Sequence, residues 1–90
     1  MKSTTAGVTS VNSSASSVML LSANVGRQGA GIFNDSTAAL YVKLGATAST
    51  TSFTAKIAAG AYFEVPYGYV GRIDGIWESA NGAARVTEYA

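Results

Sequence analysis

The chain has 90 residues, six basic and five acidic side chains, a formal net charge of +1, and neither histidine nor cysteine. This length fits one small domain, and the missing side chains exclude the common zinc, copper, haem and iron–sulfur ligand sets, thiol nucleophiles and disulfides. Charged residues make up only 12% of the chain, so copies repel one another weakly. Composition therefore predicts a protein that is not an enzyme, has no catalytic, metal or cofactor site, and associates with other chains.

The N-terminal part of the chain is uncharged from residue 3 to residue 26. Its one apolar run, residues 18–21, is far shorter than the about 18 residues that a membrane span needs. The run also lies too far behind Lys2 to be the apolar block of a secretory signal. Ser, Thr and Ala dominate the preceding stretch and bury too little to offset their ordering entropy. We therefore predict no membrane association, a flexible arm over residues 1–16, and a folded β-sandwich domain over residues 17–90.

Short stretches of alternating apolar and polar residues, separated by turn residues, follow from residue 17 onward. This rhythm predicts strands, because no window carries a capped helical period. The predicted strands cover about residues 17–23, 28–33, 38–44, 52–58, 61–65, 69–78 and 83–89. Five to seven strands at this spacing predict an all-β fold, a small antiparallel β-sandwich or barrel.

Local signals within these strands give more detailed expectations. Gly29 and Gly31 lie two residues apart, so they share a strand face that another backbone can approach closely. Alternation places Phe53 on the inward face of its strand. Asn81 and Gly82 form a dipeptide typical of a hairpin turn. The last strand, residues 83–89, is then expected at a sheet edge, with Val86 inward.

The charged side chains form no recognisable reaction centre. Arg72 and Asp74 lie two apart on one strand face, which predicts an ion pair rather than a catalytic dyad. Basic residues are dispersed among acidic ones, and nucleic-acid binding needs a basic face. We therefore predict no nucleic-acid partner, although Tyr67, Tyr69, Trp77 and Arg72 leave a single-strand groove as a less favoured alternative.

Aromatic residues concentrate in the second half of the chain. Tyr and Trp combine a rigid apolar body with a polar tip, which suits protein interfaces and sugar-stacking platforms alike. Trp77 is expected in the core, whereas Tyr67 and Tyr69, in a turn after Pro66, are expected to be exposed. A carbohydrate-binding β-module that uses Tyr67, Tyr69 and Trp77 is therefore an alternative to a protein-binding role.

Residues 29–45 hold an Asn-x-Ser turn followed by Leu-Tyr-Val, and residues 59–66 run Ala-Gly-Ala-Tyr-Phe-Glu-Val-Pro. With residues 71–77 and 82–88, these segments resemble small virion structural proteins of tailed bacteriophages. The resemblance implies a non-enzymatic part of the virion that binds the major capsid protein or other virion proteins. The favoured expectation is a capsid decoration or cement protein on the capsid exterior, homo-oligomeric and, by analogy, trimeric; the alternative is a head–tail connector or fibre component.

The candidate partner-contact residues come from the arm and from the region of the Pro66 turn. An extended arm can add to the sheet of a neighbouring subunit through main-chain hydrogen bonds, and exposed turn residues can contact a partner surface. These candidates are Ser3, Val8, Val11, Ser16, Tyr67, Tyr69 and Arg72.

Overall fold

The computed structural model describes residues 5–90, and this part of the chain contains strands and no helix. Its eight strands are β1 (Ala6–Asn12), β2 (Val18–Leu21), β3 (Gly29–Asp35), β4 (Leu40–Leu44), β5 (Ala55–Ile57), β6 (Tyr62–Val65), β7 (Ile73–Trp77) and β8 (Ala83–Tyr89). Sheet A has the strand order β1-β8-β3-β6, and sheet B has the order β2-β7-β4-β5. The prediction of an all-β, antiparallel sandwich is confirmed, with eight strands instead of five to seven.

The strand pairing in residues 5–90 is nested. β4 pairs with β5, β3 with β6, β2 with β7 and β1 with β8, each time antiparallel. The first four strands therefore pair with the last four in reverse order, as the two arms of one long hairpin would. The additional pairings β3–β8 and β4–β7 assemble these strand pairs into two sheets. Eight strands connected in this way between two sheets form a jelly roll.

The core lies between the two sheets and consists of the inward side chains of both. Its largest fully buried apolar members are Trp77, Ile32, Leu40, Ile73, Val42 and Val86. Burying an apolar side chain of this size stabilises the fold by about 1.5–3 kcal/mol. The predicted core position of Trp77 and inward orientation of Val86 are both confirmed.

The prediction of a flexible arm over residues 1–16 is wrong for residues 6–12, because these residues form β1. All seven residues of β1 pair with β8 in regular register. Only Val11 of this strand is partly buried, and it packs against the core. Since Ser, Thr, Ala and Gly give β1 almost no apolar face, main-chain pairing with β8 holds it in place, and the composition does not reveal such pairing.

The last strand is central rather than at an edge, because β8 lies between β1 and β3. The predicted hairpin at Asn81 and Gly82 is also wrong, because this turn connects β7 of sheet B to β8 of sheet A, and the two strands do not pair. Gly82 has a φ of +78°, and a Cβ there would overlap the carbonyl oxygen of Asp35. The dipeptide therefore makes a corner between sheets, for which glycine is needed as much as in a hairpin.

Phe53 does not point into the core, in contrast to its predicted inward orientation. β5 begins only at Ala55, so the alternation of that strand does not extend back to Phe53. Its ring is 41% exposed and packs edge-to-face on Tyr41, with 4.9 Å between ring centroids. Phe53 thus covers the outer face of sheet B.

Candidate interaction surface

The candidate contact residues of the N-terminal segment lie on both faces of β1 and beyond it. Val8 points outward and is 66% exposed, whereas Val11, on the opposite face of the strand, packs against the core. Ser16 is exposed in the turn after β1, where its N–H donates to Ser14 Oγ at 3.0 Å. Ser3 lies outside the described residues. These candidates therefore do not form one continuous patch, and Val8 is the one that faces solvent from the strand.

The outer edge of β1 has a defined hydrogen-bonding pattern. The N–H of Ser13 donates to the carbonyl of Gly82 at 3.1 Å, and the N–H of Ala90 donates to the carbonyl of Thr5 at 3.2 Å. Because hydrogen-bonded pairs alternate along an antiparallel ladder, the odd-numbered residues of β1 bond to β8. The even-numbered residues direct their N–H and C=O groups to the outer edge; they are Ala6, Val8, Ser10 and Asn12.

The turn between β6 and β7 brings Tyr69 and Arg72 together and leaves Tyr67 in solvent. Tyr67 is 77% exposed, beside Gly68, which has a φ of +92°. Tyr69 donates its hydroxyl hydrogen to the carbonyl of Arg72 at 2.6 Å, and it packs against the core. The predicted exposure of Tyr67 is confirmed, whereas that of Tyr69 is wrong, because its ring packs against the core.

Arg72 forms the predicted ion pair with Asp74. Its Nε donates to Asp74 Oδ1 at 2.7 Å, and the Asp74 side chain is 2% exposed, against 49% for Arg72. This hydrogen bond, together with the negative charge of Asp74, raises the pKa of Arg72. The pair satisfies the buried carboxylate of Asp74.

Arg27, which lies just before β3, is a buried cation. Its side chain is 0% exposed and its Nε lies 2.8 Å from Glu88 Oε2. Its other nitrogens donate to the main-chain carbonyls of Ser22 at 2.7 Å, Gly71 at 3.0 Å and Tyr69 at 3.3 Å. Arg27 therefore links β8 to the loop after β2 and to the turn that carries Tyr67. An arginine beside glycines gives no signal of such a role in the sequence.

Asn34 occupies an equivalent buried position near the other end of β3. Its side-chain amide donates to the carbonyls of Ala38 at 2.8 Å, Ile57 at 2.9 Å and Ala58 at 3.2 Å. Its Oδ1 accepts from Trp77 Nε1 at 3.1 Å and from the Ser36 hydroxyl at 2.7 Å. Because Trp77 is 1% exposed and engaged by Asn34, it cannot form the predicted sugar platform with Tyr67 and Tyr69.

The outer face of sheet A presents tyrosine rings over its glycines. A Cβ on Gly31 would overlap the Tyr62 hydroxyl, and a Cβ on Gly29 would lie 2.9 Å from the Tyr89 ring. Burial, followed by a side-chain hydrogen bond with Tyr89, raises the pKa of Tyr62 to about 12. The two glycines do share a face, as predicted, but aromatic rings rather than a neighbouring backbone approach them.

The outer face of sheet B is covered by its own side chains. The Tyr41 hydroxyl donates to Glu78 Oε2 at 2.6 Å, and this hydrogen bond, followed by burial, raises the pKa of Tyr41. Lys56 Nζ lies 5.4 Å from the centroid of the same ring, and Phe53 packs against it. Tyr41 is consequently 7% exposed and is not available to a partner.

Comparisons with protein-family models, with curated proteins and with solved structures give no match to this chain. Within residues 5–90, no three Asp or Glu side chains lie close enough together to hold a metal ion. The same residues contain no helix long and apolar enough to cross a membrane. The surface features that remain as candidates for function are the edge of β1, the exposed Tyr67 turn and the tyrosine face of sheet A.

Proposed function

We propose that this protein is a structural component of a bacteriophage virion, in the first place a capsid decoration or cement protein that binds the capsid exterior as an oligomer. The observation that carries this proposal is the nested pairing of eight strands, because viral capsid domains are a major group of jelly rolls. The resemblance of residues 29–45, 59–66, 71–77 and 82–88 to small virion structural proteins of tailed bacteriophages is a second reason for the proposal.

The surface of the molecule suits a protein that works by adhesion. Val8 and Tyr67 are 66% and 77% exposed, which offers apolar contact area at two separate places. The net charge of +1 allows copies to pack closely on a particle, since self-repulsion is weak. The Tyr67 turn is also supported from beneath by the Arg27 hydrogen bonds to Tyr69 and Gly71, so a partner would meet a preorganised loop.

The experiment is to purify virions of a phage that encodes the chain, count its copies by quantitative mass spectrometry, and locate it by electron microscopy. A decoration protein is expected in copy numbers similar to those of the major capsid protein, on the shell exterior. A few copies at the neck or in a fibre would favour the connector or fibre alternative. Absence from purified virions would overturn the proposal.

A variant pair tests whether the exposed turn contributes to attachment. Tyr67→Ala removes the exposed ring and is expected to lower occupancy on the particle, while Thr50→Ala, at an exposed position in the β4–β5 loop, serves as the matched control. Equal occupancy of both variants would exclude the Tyr67 turn from the contact. Saturable glycan binding by the purified chain that Tyr67→Ala abolishes would favour a sugar-binding module instead.

A further inference from the structure

The two sheets have four outer strand edges in the described part of the chain, and three of them are guarded against pairing. β6 has four residues, carries Glu64 and is followed by Pro66. β5 has three residues and carries Lys56. β2 has four residues, and its register shifts between Met19 and Leu21. Short length, charge, proline and bulges are the features by which natural sheets prevent edge-to-edge association.

β1 has none of these protective features. It is seven residues long, contains no charged residue and no proline, and keeps a regular register with β8 along its whole length. Its outer edge pairs with no other strand of residues 5–90. A long, regular and uncharged edge is a template for pairing with another strand.

We propose that β1 pairs antiparallel with β1 of a second copy across a two-fold axis, which joins two copies of sheet A into one continuous sheet. A two-fold axis places the same strand on both sides of the contact, so an edge that carried charge of one sign would repel itself. β1 is uncharged, and the described strands of sheet A, which this contact would extend, already pair antiparallel with one another. The inference rests on the edge alone and does not depend on a place in a virion.

The free main-chain groups define the register of this pairing. Complete overlap of β1 with its copy places Val8 opposite Ser10 of the second copy and Ala6 opposite Asn12. These are the even-numbered residues whose N–H and C=O groups point away from β8, so each such pair exchanges two hydrogen bonds. Thr9 then faces Thr9 of the second copy on the axis, in a non-hydrogen-bonded pair with a Cα–Cα distance of about 4.5 Å.

Cysteine crosslinking tests both the pairing and its register, since the natural chain contains no cysteine. Thr9→Cys is expected to form a disulfide-linked dimer under mild oxidation, because a disulfide spans Cα atoms about 4.4–6.8 Å apart. Gly7→Cys is the matched control on the same strand face; its two copies would lie about 13 Å apart. Equal crosslinking of the two variants, or none for Thr9→Cys, would overturn the proposal.

Sedimentation equilibrium of the full chain provides a test without crosslinking. Val8→Pro removes an outward N–H and none of the β1–β8 hydrogen bonds, so it is expected to weaken dimerisation by about tenfold or more. Val8→Ala keeps the N–H and is expected to stay within about threefold of the natural chain. Circular dichroism of both variants serves as the control that they are folded. A natural chain that is monomeric or trimeric at every concentration, or equal dimerisation of the two variants, would contradict two-fold pairing.

Discussion

At each end of the sandwich a buried polar side chain, Arg27 at one and Asn34 at the other, connects several chain segments. We call these two side chains hubs, and they use different chemistry. Arg27, just before β3, is a fully buried cation that pairs with Glu88 and donates to three main-chain carbonyls. Asn34, near the far end of β3, is a neutral amide that both donates and accepts. Every buried side-chain nitrogen and oxygen of the described residues has a hydrogen-bond partner, so neither Arg27 nor Asn34 has an unsatisfied buried polar atom.

The difference between the hubs follows from what each must hold. The segments around Arg27 offer carbonyls and one carboxylate, and a guanidinium supplies donors only, in a fixed fork. The segments around Asn34 offer three carbonyls together with the donors of Trp77 and Ser36, which only a group of mixed polarity can satisfy. The charged hub therefore depends on its counter-ion, whereas the neutral hub does not.

Removal of the charged hub is expected to have the largest effect. Arg27→Ala leaves the Glu88 carboxylate and several carbonyls without their donor, and losing one partner of a buried ion pair costs about 3–5 kcal/mol. Urea denaturation measures the change in the free energy of unfolding. Arg27→Lys keeps the charge but loses the fork, so it should recover only part of the loss. If Arg27→Ala lowered the free energy of unfolding by less than Asn34→Ala does, the expected ranking of the two ends would be reversed.

Asn34→Ala, which removes the neutral hub, is expected to lower the free energy of unfolding by somewhat less, about 2–3 kcal/mol. The Trp77 indole N–H and the carbonyl of Ile57 would then be buried without partners. Asn34→Asp is a sharper variant, because a carboxylate cannot donate to the surrounding carbonyls. That variant should gain stability relative to the natural protein as the pH falls and its carboxyl group becomes protonated. A pH-independent difference, measured by denaturation at several pH values, would contradict the assigned hydrogen bonds.

Neutralising the counter-ion tests whether charge matters at the Arg27 end. Glu88→Gln keeps an acceptor for Arg27 Nε but removes the negative charge, and it should cost about 1 kcal/mol. The matched variant Asp35→Asn breaks the exposed ion pair with Arg85 and should change stability by at most about 1 kcal/mol, and less at high salt. Denaturation at low and high salt separates the two. Equal, salt-sensitive losses would mean that the Arg27 pair behaves as a surface pair.

Removing the Tyr62 hydroxyl from the outer face of sheet A should have the smallest effect on stability, and this effect should be seen only at high pH. Because the pKa of Tyr62 is raised from 10.0 to about 12, the folded state holds this proton more tightly than the unfolded chain. Its contribution to stability is present in full below pH 10 and is lost as the pH rises toward 12. Tyr62→Phe should therefore lose stability less steeply over this range. Identical slopes for the two proteins would contradict the raised pKa.

The candidate surface shows which parts of a site can be predicted from sequence. The exposure of Tyr67 and the Arg72–Asp74 pair follow from turn residues and from spacing along one strand, and both are local properties. Arg27, Asn34 and the ring of Tyr62 over Gly31 could not be predicted, because each depends on contacts between segments far apart in the chain. The edge of β1 was missed since its composition resembles that of a flexible segment, and only its partner β8 makes it a strand.

The amino-acid sequence by itself determined that the protein is all-β, where most of its strands lie and that Trp77 belongs to the core. Alternation with a period of two is a local property, and a strand that buries one face must display it. Only the tertiary structure decided that β8 is central, that Asn81 and Gly82 form a corner between sheets, and that residues 6–12 complete sheet A. Strand order depends on long-range pairing, in which main-chain hydrogen bonds, common to all residue types, contribute much of the contact.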